Sequence, residues 1–175
     1  MSLDKNKREI ESALSVLVGE NFRYISRAGN MITLGFGEDI MHIRYNGEAA
    51  VLARFAVHIQ ASWRITINES ISLGSYDFYI PKEGVSYEEF QKDENFGFGI
   101  SLFDEKSKNL NEYLLSVPVR VDDIVANNFG DLHILLENDT SVEVFINCSE
   151  PGESWRFFET GTDERHFVVF DEDEN

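Results

Sequence analysis

Apolar residues recur along this chain at two spacings, and the spacing switches from stretch to stretch. Leu3, Ile10, Leu14 and Leu17 fall at helical intervals with Ala13 and Val18 beside them, while Lys5, Arg8, Glu9 and Glu11 take the other side. A one-sided stripe of this kind predicts an amphipathic helix. Ser2 is placed to cap its start and Gly19 to end it. After Gly19 the period drops to two. Alternating, β-prone runs predict strands at residues 22–25, 31–36, 40–45, 51–60, 63–67, 71–73 and 76–80. Ala28-Gly29-Asn30, Asn68-Glu69 and Gly74-Ser75 punctuate them as turns.

The middle of the chain breaks this rhythm. Residues 81–98 are mixed, polar and glycine-containing, and Ser86 three residues before Glu89 has the spacing of a capping box for one or two helical turns. Residues 104–115 return to helical spacing, with Leu110, Tyr113 and Leu114 on one face and Pro118 as the stop. Strands then resume at residues 119–125, 131–136, 141–147, 154–159 and 166–170. Asn138-Asp139 between two of them predicts a tight hairpin.

The second run of strands echoes the first. Phe55-Ala56-Val57-His58-Ile59-Gln60 leads into Ser62-Trp63-Arg64-Ile65, and Val142-Glu143-Val144-Phe145-Ile146-Asn147 leads into Ser154-Trp155-Arg156-Phe157. These stretches hold both tryptophans of the chain, each followed by arginine. Helices and strands are segregated rather than alternating, which predicts an α+β class. The expectation is two similar helix-plus-antiparallel-strand halves forming one mostly antiparallel β domain over residues 1–175. The pseudo-repeat spans 1–80 and 104–170, with 81–103 intervening. Trp63, Trp155, Phe157 and Phe167 are its expected core anchors.

The segment from Ala56-Val57-His58-Ile59-Gln60 through Trp63-Arg64-Ile65 to Gly74-Ser75-Tyr76-Asp77 resembles a motif of an uncharacterised family of small bacterial proteins. So do Leu110-Asn111-Glu112, Gly130-Asp131-Leu132, Glu153-Ser154-Trp155-Arg156-Phe157-Phe158 and His166-Phe167-Val168-Val169. Members of that family often carry Cys-Pro before the first tryptophan. Here Ala61-Ser62 stands instead, so no role for that cysteine is carried over. The resemblance implies a cytosolic protein with no assigned activity, similar in general type to immunity proteins that neutralise secreted toxins.

Charge narrows the possible partners. With 32 acidic against 15 basic residues the formal net charge is -17, a surface that repels phosphate backbones and anionic headgroups and attracts basic proteins. Nucleic-acid and membrane-surface binding are therefore not expected, and acidity also serves solubility. No run approaches the ~18 apolar residues of a membrane span, and no signal-type apolar run follows Lys5, Lys7 and Arg8. The single cysteine, Cys148, permits no internal disulfide and fits a reducing, cytoplasmic setting.

Candidate chemistry is sparse. His42, His58, His133 and His166 show none of the spacings of a metal motif. Carboxylate pairs such as Asp122-Asp123, or Glu150 with Glu153, are expected by chance among so many acids. Cys148 lies beside Glu150, which would raise rather than lower its pKa. Gly35-Phe36-Gly37 and Gly97-Phe98-Gly99 lack the third glycine of a dinucleotide loop and suggest turns or bulges. No metal and no cofactor is expected. Alternation places each arginine opposite its buried tryptophan, either paired with a carboxylate such as Glu153 or Asp77 or flanking a groove.

Two functions remain open. The first is a non-catalytic module that covers a basic protein, immunity-like, with Tyr76, Phe78, Tyr79, Tyr87 and Phe90 of the middle region as aromatic anchors. The second is a small-ligand binder or enzyme using a cleft between the halves, lined by His58, Arg64 or Arg156.

Overall fold

The computed structural model describes residues 3–94, 97–150 and 152–169, and the two spacings sort into helices and strands. Helix α1 (Leu3–Leu14) continues into a 3-10 turn (Ser15–Leu17). Strands β1 (Phe22–Ala28), β2 (Met31–Ile43), β3 (Ala49–Ile59), β4 (Ser62–Ile67) and β5 (Ser70–Gly74) follow. A short helix α2 (Tyr87–Gln91) and a longer α3 (Leu102–Ser116) lead to β6 (Val121–Ala126), β7 (Leu132–Leu136), β8 (Thr140–Phe145), β9 (Trp155–Glu159) and β10 (Phe167–Val169). The fold is α+β. Its two five-stranded sheets run β1-β2-β3-β9-β10 and β5-β4-β8-β7-β6, with antiparallel pairing throughout.

Neither sheet is built from one half of the chain. Each takes three consecutive strands from one half and the tryptophan-bearing hairpin from the other. The helices cross as well: α1 packs on β6 and α3 on β1. The two crossing connections touch, because Gln60 and Ala61 both donate their backbone N–H to the Ser154 carbonyl at 2.9 and 3.0 Å. Facing inner surfaces and the helices then share one contiguous core, which includes Phe22, Phe36, Phe55, Phe78, Phe103, Phe157 and both indoles. Each fully buried side chain of this size contributes about 1.5–3 kcal/mol.

Several elements depart from the sequence reading. Residues 76–80 were expected as a strand and form instead a 3-10 turn, Ser75–Tyr79. The Asp77 carboxylate accepts the Gly74 N–H at 2.9 Å, and Phe78 folds inward onto Trp63 and Phe103. A side chain that bonds backwards to its own backbone competes with strand extension. The two strands expected at 31–36 and 40–45 are one strand, β2, carried through a register shift between Phe36 and Asp39. Gly37 sits there at φ 85°, a conformation that favours glycine and marks a bulge. Beyond it β2 and β3 pair with each other as a two-stranded arm, with no third strand among the described residues. Ser2, Phe170 and the acidic run 171–174 lie outside the described residues.

Candidate functional site

Alternation in β4 and β9 turns Trp63 and Trp155 inward and their arginines outward. Arg64 and Arg156 therefore lie on the outer faces of different sheets and do not meet. On the first sheet, His58 of β3 is the direct cross-strand partner of Arg156. Arg156 grips Glu153 through Nε and Nη2, and its Nη1 lies 3.4 Å from His166 Nδ1. Phe158 floors the group: His166 stacks on it at 4.2 Å and His58 meets it edge-on at 4.8 Å. Burial, and next the neighbouring Arg156 charge, lowers the pKa of both imidazoles. The hydrogen bond from Arg156 holds Glu153 below the ordinary carboxylate range.

The second sheet has a simpler arrangement. Arg64 pairs directly across the strands with Glu143, not with Asp77, whose carboxylate caps the turn after β5. The Arg64 guanidinium lies 5.1 Å from the Phe145 ring, and His133 flanks Glu143 from β7. Both arginines are thus engaged with carboxylates. Neither cluster includes a thiol or an activated hydroxyl. Among the described residues no group of three or more His, Cys, Asp or Glu is placed to hold a metal ion. Cys148 is free and exposed.

The middle of the chain holds a second kind of site. Its ends are zipped together, with the Lys82 N–H donating to the Ile100 carbonyl (2.9 Å) and the Leu102 N–H to that of Ile80 (2.7 Å). Beneath it sits Arg27 of β1, whose side chain is 2% exposed. Its Nε and Nη2 donate to the two Asp104 carboxylate oxygens at 3.0 and 2.7 Å. Phe78, Phe98 and Phe103 surround the guanidinium with centroids 5.1–5.6 Å away. Asp104 also accepts the Gly99 and Ser101 N–H groups and the Ser101 hydroxyl, completing the capping box of α3. One buried ion pair therefore ties a strand, a helix start and a loop together.

On this base Tyr76, Tyr79 and Tyr87 are exposed, whereas Phe78, expected as an anchor beside them, is buried against Trp63 and Phe103 and belongs to the core. Phe90 is not presented in the same way. Its ring folds back over Gly97, where an added Cβ would sit 2.5 Å from it, which is why glycine stands there. From Ser75 to Ser101 there are six acidic residues and two lysines. The arm of β2 and β3 adds an exposed apolar face of Met41, Ile43 and Val51, with Met41 directly opposite Val51.

Two adjoining depressions of about 680 and 310 Å³ run beside α3 and share Ile67 and Tyr113. Asn68, Asn138 and Asp139 from the hairpin tips line the larger one. His58, Arg64 and Arg156 line neither. No helix among the described residues is long and apolar enough to cross a membrane.

Sequence reasoning missed the Arg27–Asp104 pair. Part of it was legible: Ser101 and Asp104 have capping-box spacing, which would have started α3 at Leu102 rather than at Asp104. Nothing local marks Arg27, because a strand arginine next to a turn is ordinary until a helix from elsewhere covers it. No family model, curated protein or solved structure matches this chain.

Proposed function

We propose that this protein is a non-catalytic module that binds a basic protein, in an immunity-like role, through the face carrying Tyr76, Tyr79 and Tyr87. The observation that carries this reading is the exposure of three tyrosines within a strongly acidic segment that the buried Arg27–Asp104 pair holds in place. Tyrosine supplies large contact area at low entropic cost. A net charge of -17 speeds encounter with a cationic partner and disfavours nucleic acid and anionic membrane. A cytoplasmic setting belongs to the same reading, which the lone exposed thiol suits.

The motifs' resemblance to an uncharacterised family of small bacterial proteins, with immunity proteins as its analogy, belongs to the same reading. The doubled-module reading of residues 1–80 and 104–170 draws support from the matching order of helix and five strands on either side of the middle segment. A ligand cleft between the halves draws less support. The inner faces share one packed core, and the arginines that were to line the cleft lie outside it.

A photo-crosslinking residue at position 79 tests the proposal. The captured protein is identified, purified and bound to the full chain at low and high salt. The expected partner is basic, its affinity falls as salt rises, and Tyr76→Ala with Tyr79→Ala weakens it roughly tenfold or more. An acidic partner, or binding indifferent to salt and to both substitutions, overturns it.

A further inference from the structure

We infer that the Tyr76–Tyr79 pair is a receiving site for an arginine side chain of the partner, an inference that rests on the basic-partner reading above. A 3-10 turn superposes residues three apart on one side, and here that spacing sets the two phenol rings 5.7 Å apart at an interplanar angle of 55°. Both rings are exposed, yet the turn beneath them is fixed. Phe78 between them is buried against Trp63 and Phe103, and Asp77 caps the start. The result is an angled pair of electron-rich faces held on rigid backbone in an acidic segment, the arrangement that attracts an organic cation.

The molecule already uses this chemistry internally. The inner side of the same turn places Phe78 5.3 Å from the Arg27 guanidinium. Arg54 lies over Phe55 at 5.0 Å and Arg64 over Phe145 at 5.1 Å. All of these cations are arginines, whose planar and weakly hydrated guanidinium stacks on a ring where an ammonium is held back by its water. Tyr76 and Tyr79 offer outward what Phe78 and Phe103 offer inward. An arginine from a basic protein is the group that fits, and the net charge of -17 raises its local concentration at the surface.

The test titrates the full chain with nona-arginine and with nona-lysine, following the assigned tyrosine ring resonances by NMR. With nona-arginine the Tyr76 and Tyr79 ring signals should move most. Tyr76→Ser with Tyr79→Ser should weaken binding about threefold. Tyr76→Phe with Tyr79→Phe should keep the affinity, because the ring faces remain. If nona-arginine binds while both rings stay still and the serine variant binds equally well, the site is wrong and the basic-partner reading stands. Equal response to nona-lysine overturns the choice of arginine. If neither cationic peptide binds, the basic-partner reading falls with it.

Discussion

A row of side chains crosses the first sheet as Arg27, Ile32, Ile59, Trp155 and Val169, and the corresponding row across the second sheet is Ala126, Leu132, Val144 and Trp63. Over their four shared positions the rows match in kind except at the end on β1 and β6, where one has arginine and the other alanine; Val169 extends the first row alone. That difference reaches both indoles. Trp155 Nε1 donates to the Gly130 carbonyl at 2.9 Å, in the turn between β6 and β7. The carbonyl in the like place between β1 and β2, that of Gly29, accepts instead from Arg27 Nη1 at 3.2 Å. Trp63 Nε1 is buried with no hydrogen-bond partner among the described residues. An unpaired buried donor costs about 1–3 kcal/mol. Arg27, which takes that carbonyl, also makes the bidentate bond to Asp104 and has three aromatic neighbours. The same architecture thus tolerates two solutions: a satisfied indole, or an orphaned one beside a buried ion pair.

Breaking the pair should have the largest effect. Arg27→Ala reproduces the residue at the like position of the second sheet, but it strips Asp104 of its buried cation and opens a void among Phe78, Phe98 and Phe103. The expected loss is about 3–5 kcal/mol, read by chemical denaturation. Arg27→Met should recover part of it by refilling the void without the charge. A loss below about 1 kcal/mol for Arg27→Ala would mean that the ion pair is not what separates the two rows.

The contrast between the rows also shows what a sequence displays and what it hides. The period-2 runs, the helical stripe of α1 and the hairpin at Asn138-Asp139 are local patterns, and the strands and helices that form there follow from them. The exchange of hairpins between sheets is not local. Gln60-Ala61 could equally return β4 to β3, as a short connection between antiparallel strands often does. What sends β4 to β8 is a cross-strand fit between residues about 80 apart in the chain, such as Trp63 with Val144. The same limit hid Arg27, which is exposed or buried according to where α3 lands. Tyr76 and Tyr79 were visible as aromatic residues, but their joint presentation depends on a turn that the apolar pattern of residues 76–80 disguises as a strand.

The indoles themselves give the second prediction. Trp155→Phe removes a satisfied hydrogen bond and leaves the Gly130 carbonyl without it, on top of the lost packing. Trp63→Phe removes a donor that has no partner among the described residues. Trp155→Phe should therefore cost about 1–2 kcal/mol more than Trp63→Phe. Equal losses in denaturant titrations would show that the Trp63 N–H is satisfied in solution and that the two indoles are equivalent.

The outer faces sharpen the comparison with the smallest effect. Glu143 and Glu153 are each held below the ordinary carboxylate range, chiefly by the hydrogen bond from their arginine. The stability they add is present above the unfolded carboxylate pKa and is lost as pH falls through their folded values, so both sheets weaken in acid. Only the first sheet sets two imidazoles beside its arginine. Burial first, then Arg156, lowers the pKa of His58 and His166, so the unfolded chain takes up their protons sooner, from about pH 6.5 downwards. Above that pH they leave stability unchanged. As pH drops from there towards their folded values the unfolded state binds more protons and stability falls. Replacing both residues, His58→Gln with His166→Gln, should flatten the decline that sets in below about pH 6.5 and leave the carboxylate-driven decline at lower pH intact. Solvent at both rings screens Arg156, so the change should stay well under about 1 kcal/mol, resolvable by thermal denaturation across a pH series. An unchanged profile would place the acid sensitivity of the fold in the carboxylates common to both sheets and remove the histidines as a difference between them.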